Sequence, residues 1–141
     1  ELMKDLRSKV NSAIILITHD LGVVADICDR INVMYAGLVI ESGSTRDIFY
    51  HPEHPYTWGL LKSVPRVRSG SRERLVPIDG QPPDLIKPPK GCGFVDRCPH
   101  AMQICREIPP EDFTISEGHC AKCWLLHPEA AEQRRKAQES R

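Results

Sequence analysis

The chain has 141 residues, room for one ordinary domain or two small pieces. Its 19 Lys plus Arg balance 19 Asp plus Glu, so the formal charge is zero. That removes the basic excess a nucleic-acid or membrane-surface partner asks for. No run approaches the roughly 18 apolar residues of a bilayer span, and the opening ELMKDLRSKV is charged and has no signal-peptide core.

In chain order, Leu2, Met3, Leu6 and Val10 share one side of a predicted helix. No capping residue precedes Glu1, so the natural polypeptide is expected to extend upstream. Ala13 to Ile17 (AIILI) reads as a strand buried on both faces, as in a parallel sheet. Thr18-His19-Asp20 ends it, and Asp20 or Thr18 can cap a helix from Leu21 through Cys28. Ile31 to Tyr35 and Leu38 to Glu41, split by Ala36-Gly37, predict a hairpin. Ser44 or Thr45 then starts a short helix through Tyr50. Another is expected from Tyr56 to Val64.

From Pro52 onward the character changes. The 12 prolines argue against long regular elements. The arginine- and serine-rich run over 66–74 reads as a solvated linker, and 77–91 as extended chain. Residues 92–123 hold five of the six cysteines and few large apolar side chains, so this lobe is marginal without a staple. The charged stretch 128–141 reads as an exposed helix or a disordered tail. Cys28, among apolar helix neighbours, reads as core. Tyr56 and Trp58 read as packing residues, and His51, His54, His100 and His127 as loop histidines without metal.

Two constellations carry chemistry. His19 follows an apolar run at the place where open α/β sheets gather ligands. THDLGVVADICDRINVMYAGLVIESG resembles the switch-histidine region of ABC-transporter ATP-binding subunits. The resemblance implies that His19 contacts the γ-phosphate of ATP and helps position the attacking water, a positioning role without covalent chemistry. The phosphate loop, the LSGGQ-like signature and a strand ending in Asp-Glu are absent from this sequence. The resemblance therefore implies a C-terminal fragment, inactive alone.

HPYTWGLLKSVP and the proline-rich IDGQPPDLIKPPKGCGFVDRCPHAMQIC resemble the C-terminal extension of the oligopeptide, dipeptide and nickel branch of ABC importers. Some members of that branch carry an iron–sulfur cluster on four cysteines. By position the ligands are Cys92, Cys98, Cys105 and Cys123, the last lying four residues after His119 of a Gly-His pair. Cys120 departs from the pattern and leaves the fourth ligand open between Cys120 and Cys123. Three states compete: a [4Fe-4S] cluster, structural zinc on a partly different set that includes the Cys120/Cys123 pair and His119, and no metal. Disulfides are not expected in a cytosolic chain.

The expected fold class is α/β: the C-terminal remnant of an ABC-type (P-loop NTPase) nucleotide-binding domain over residues 1–50, then a small proline- and cysteine-rich irregular extension over 51–125 and a charged tail over 126–141. The complete subunit would bind ATP and Mg and couple hydrolysis to uptake of oligopeptides or dipeptides. Its partners would be transmembrane permease subunits, a second ATP-binding subunit and, indirectly, a peptide-binding protein, at the cytoplasmic face of the bacterial plasma membrane. No nucleic acid and no direct membrane insertion are expected. The alternative is a free-standing metal-binding or dimerisation module without ATPase role.

Overall fold

A computed structural model describes residues 13–63 and 77–140. The predicted helix over Leu2–Val10 and the arginine-rich run lie outside those residues. What is described is a mixed helix and sheet fold around one four-stranded antiparallel sheet.

Helix α1 (Leu21–Ile27) starts where expected. The Asp20 carboxylate accepts from the N–H groups of Gly22 (2.9 Å) and Val23 (3.1 Å), satisfying two orphan donors of the first turn. Strands β1 (Arg30–Tyr35) and β2 (Leu38–Ser44) form the predicted hairpin. Its two-residue turn needs positive φ at both positions, and Ala36 (49°) and Gly37 (78°) supply it. In β1 the inward residues are Ile31, Val33 and Tyr35, alternating with exposed Arg30, Asn32 and Met34. Helix α2 (Thr45–Tyr50) opens on a capping box. The Asp47 N–H donates to Ser44 Oγ at 3.1 Å while the Ser44 N–H donates to Asp47 Oδ2 at 3.0 Å. Helix α3 (Pro55–Lys62) has Pro55 at its first position, where a missing N–H costs nothing.

The cysteine-rich lobe contains a short helix α4 (Gln103–Glu107) and two small strands, β3 (Phe113–Ser116) and β4 (His119–Ala121). Neither strand is legible in the sequence, because each is too short to show alternation. They join the hairpin in the order β1-β2-β4-β3, so one sheet crosses residue 50. The β2–β4 junction is short, pairing only Glu41 with Ala121 and Ser42 with Cys120. Helix α5 (Ala131–Glu139) closes the described chain.

Two apolar clusters hold these parts. Val24, Ile31, Val33, Tyr35, Ile40, Ile48 and Phe94 form the first. Phe94, 2 % exposed, meets the rings of Tyr35 (5.2 Å) and Tyr56 (5.4 Å) edge-on. Trp58, Cys123, Leu125 and Ala137 form the second. Arg97 ties the extended stretch to the hairpin, donating to the carbonyls of Ile78 (2.7 Å) and Asp79 (2.9 Å) and to the Tyr35 hydroxyl (3.2 Å).

Two expectations are corrected. AIILI forms no strand: Ile15 and Ile17 are 90 % and 94 % exposed. A doubly buried strand exists only between hydrogen-bonded neighbours, and every described strand belongs to the other sheet. The charged stretch after Pro128 is not simply solvated. Helix α5 buries Ala137 (1 % exposed) against Trp58, Cys123 and Leu125, and Arg134 pairs with Glu53 at 2.8 Å. Among the described residues no helix is long and apolar enough to cross a membrane.

Candidate functional site

The four cysteines Cys92, Cys98, Cys105 and Cys123 line one cavity. They arrive from separate pieces of backbone. Cys92 precedes, and Cys98 ends, the 3₁₀ turn Val95–Arg97. Cys105 lies in α4, and Cys123 caps the 3₁₀ turn Trp124–Leu126. The Cys92 N–H donates to the Cys105 carbonyl at 2.8 Å, closing this loop on itself. Gly91 makes the approach feasible, since a Cβ there would collide with that same carbonyl.

The electrostatics follow from burial and mutual proximity. Burial pushes the Cys98 thiol up to about 12, opposed by the His100 N–H and reinforced by Cys92 and Cys105. Burial also raises Cys123 strongly, opposed by the Leu125 N–H and reinforced by Cys98, Cys92 and Cys105. Cys92 rises for the same leading reason. Such neighbours resist becoming thiolates unless a cation compensates them.

The remaining cavity wall includes His54, Pro55, Phe94 and His100. His54 is 1 % exposed and caps α3, its Nδ1 accepting the Tyr56 N–H at 3.0 Å. Burial pushes its imidazole down to about 3, so it is neutral. His100 packs edge-on against Trp58 at 5.7 Å, and burial followed by the Lys62 charge lowers its pKa. Trp58 donates its indole N–H to the Pro52 carbonyl at 2.7 Å.

Cys120 does not join this group. It sits on β4 opposite Ser42, with its sulfur 3.3 Å from Ser42 Oγ. His119 turns to the other face, fully buried, with Nε2 3.0 Å from Glu41 Oε1. The zinc alternative built on Cys120 and His119 thus has its donors on opposite sides of a strand. Among the described residues, no three His, Cys, Asp or Glu side chains are already arranged to hold a single metal ion. A cubane attaches its four thiolates to separate corners, so the four-thiol donor set around a cavity fits that group by its chemistry.

His19 lies apart, exposed beside the α1 cap; Thr18 Oγ1 accepts the Asp20 N–H at 3.0 Å there. Glu41 is the residue that sequence reasoning missed, and His54 and His119, read there as a loop histidine and a zinc donor, are instead a buried helix cap and the buried partner of Glu41. The available signal was a charged residue inside an apolar hairpin strand.

Residues 40–105 match the family described as the oligopeptide/dipeptide transporter, C-terminal region. The chain is 55 % identical over 130 residues to the oligopeptide transport ATP-binding protein OppD of Bacillus subtilis, covering 92 % of this chain and 36 % of the relative. It is 53 % identical over 125 residues to the dipeptide transport ATP-binding protein DppD of the same organism, covering 89 % and 37 %. To OppD of Salmonella typhimurium it is 53 % identical over 123 residues, covering 87 % and 36 %. The chain thus spans about a third of the length of these relatives.

Proposed function

With the chain identified as a relative of oligopeptide and dipeptide transport ATP-binding proteins, we propose that it is the C-terminal region of the ATP-binding subunit of a peptide importer. The observation that carries this is identity of 55 % running across 92 % of the chain, from the switch-histidine region through the cysteine lobe. The free-standing module has no such support, since these relatives are transport ATP-binding proteins.

On this reading residues 1–50 end an ABC-type nucleotide-binding domain, 51–125 form the extension and 126–141 the tail. His19 is the catalytic residue of this segment. Its imidazole hydrogen-bonds the γ-phosphate of Mg-bound ATP and helps orient the attacking water, whose oxygen displaces ADP from phosphorus. The phosphate cradle and magnesium ligands are not in this sequence, so the 141-residue chain alone turns over no ATP. The complete subunit works at the cytoplasmic face of the membrane against permease subunits and a second ATP-binding subunit. In that subunit His19→Ala lowers ATP turnover by about 10²-fold or more, while nucleotide binding persists. Undiminished turnover would remove His19 from the mechanism.

The cysteine lobe is a thiolate centre holding a [4Fe-4S] cluster on Cys92, Cys98, Cys105 and Cys123. What supports this is the convergence of four thiols on one cavity in a lobe with few large apolar residues. When bound, the cluster supplies a four-point cross-link and a one-electron couple. The chain's own contribution is to bring the thiols together and exclude water through Phe94, Pro55 and Leu125. Anaerobic reconstitution with iron and sulfide tests it. Iron and sulfide in equal amounts are expected, and zinc alone or no metal would retire the cluster.

A further inference from the structure

Glu41 is a carboxylate buried to 1 % exposure, inside a strand whose neighbour Ile40 belongs to the apolar core. Such a group is costly to bury unless it is fully hydrogen-bonded. Here it has three partners from two distant segments. Oε1 accepts the Glu53 N–H at 2.7 Å, Oε2 accepts the His54 N–H at 3.1 Å, and His119 Nε2 lies 3.0 Å from Oε1. The carboxyl group thus meets two backbone N–H donors and one imidazole nitrogen.

Of those partners His54 lines the thiol cavity itself, and Glu53 and His119 sit on the segments that lead into it. Glu53 and His54 lead into α3, and His54 and Pro55 line the cavity. His119 begins β4, four residues before Cys123. The backbone joins β2 to β4 at Glu41–Ala121 and Ser42–Cys120, with one more bond from the Lys122 N–H to the Ile40 carbonyl at 2.8 Å, and the side chain of Glu41 adds a buried tie to this short junction. Glu53 in turn holds Arg134 of α5.

We propose that Glu41 is the positioning residue of the thiol centre, one buried carboxylate that holds the His54–Pro55 wall and the His119–Cys123 wall together. This rests on the thiol-centre reading above. Because Glu41 lies on the hairpin, it also connects the nucleotide-domain segment mechanically to the cysteines.

The test compares the wild-type chain with Glu41→Gln, Glu41→Ala, His119→Gln and His119→Leu, all in the full chain. A glutamine at 41 places an NH₂ against donor groups, whereas a glutamine at 119 can donate to Glu41. In the metal-free protein, alkylation of Cys123 by iodoacetamide is read site by site against Cys28, which packs on the other cluster. Expected is labelling of Cys123 on the order of tenfold faster in both Glu41 variants and in His119→Leu, with Cys28 unchanged and His119→Gln close to wild type. After anaerobic loading with iron and sulfide, the same three variants should show a shifted spectrum of the reduced centre or less iron per chain. Unchanged Cys123 labelling and an unchanged spectrum would overturn the proposal. So would Cys28 and Cys123 rising together, which marks general loosening of the fold. If the wild-type chain takes up no iron and sulfide, the thiol-centre reading fails, while the labelling arm still decides whether Glu41 sets the Cys123 wall.

Discussion

The Cys92 amide donates to the Cys105 carbonyl at 2.8 Å, and Gly91 lies against that carbonyl with no room for a side chain. The loop carrying Cys92 and the helix carrying Cys105 are therefore in backbone contact, independent of anything their thiols bind. Gly91→Ala must push the two apart. Overpacking of this kind costs about 1–3 kcal/mol, and urea denaturation of the metal-free chain should show that loss. The same variant should take up less iron and sulfide. A midpoint equal to wild type would mean the backbones separate without penalty.

Phe94 is the apolar residue that links the hairpin to the cysteine lobe, since it packs on Tyr35 and Tyr56 and also lines the thiol cavity. Phe94→Ala should destabilise by about 3–5 kcal/mol. Thermal or urea unfolding measures it. The cavity side of the same deletion should admit water, so alkylation of Cys92 and Cys98 should accelerate as well.

His54 makes stability depend on mild acid. Its folded value is lowered to about 3 from 6.5. Between these values the unfolded chain binds a proton that the folded chain refuses. Stability contributed by the neutral ring is complete above pH 6.5 and is lost as pH falls toward 3. The slope approaches about 1.4 kcal/mol per pH unit in the middle of that window. Denaturation midpoints from pH 7 to 4 measure the slope, and His54→Gln should flatten it. An equal slope in that variant would place the acid sensitivity elsewhere.

The thiols act at the other end of the scale. Cys98 is raised from 9.0 to about 12, so above pH 9 the unfolded chain releases a proton that the folded chain keeps. Metal-free protein should therefore lose stability as pH climbs from 9 toward 12. Cys98→Ser should weaken that alkaline loss. Metal uptake must expel thiol protons, so loading in weak buffer should acidify the solution. Alkaline stability equal to that at pH 8 would mean the thiols are not held neutral by the fold.

Local elements were legible in the sequence where local chemistry decides them. Asp20 before Leu21, Ala36-Gly37 between apolar runs, and Ser44 with Asp47 each specify a cap or turn within a few residues. The spacing of Cys92, Cys98 and Cys105 singled out the lobe, and the resemblance added Cys123. The AIILI run misleads because an unbroken apolar run reads as a doubly buried strand only where neighbouring strands pair with it, and pairing is not a property of five residues. Helix α5 was missed as a packing element because its apolar contact is a single alanine, too small a signal against a charged background, and its Arg134–Glu53 pair joins residues far apart in sequence.

What the sequence determined by itself was therefore local: caps, the hairpin, the cysteine-rich lobe and its relatives' motifs, because each rests on interactions within a few residues. Tertiary structure alone decided that β4 joins β2, that Cys123 enters the cavity while Cys120 faces Ser42, and that Glu41 meets His54 and His119. Two of those pairings, Ser42 with Cys120 and Glu41 with His119, each span 78 residues. They depend on which face of a short strand is buried, a choice made when the sheet closes.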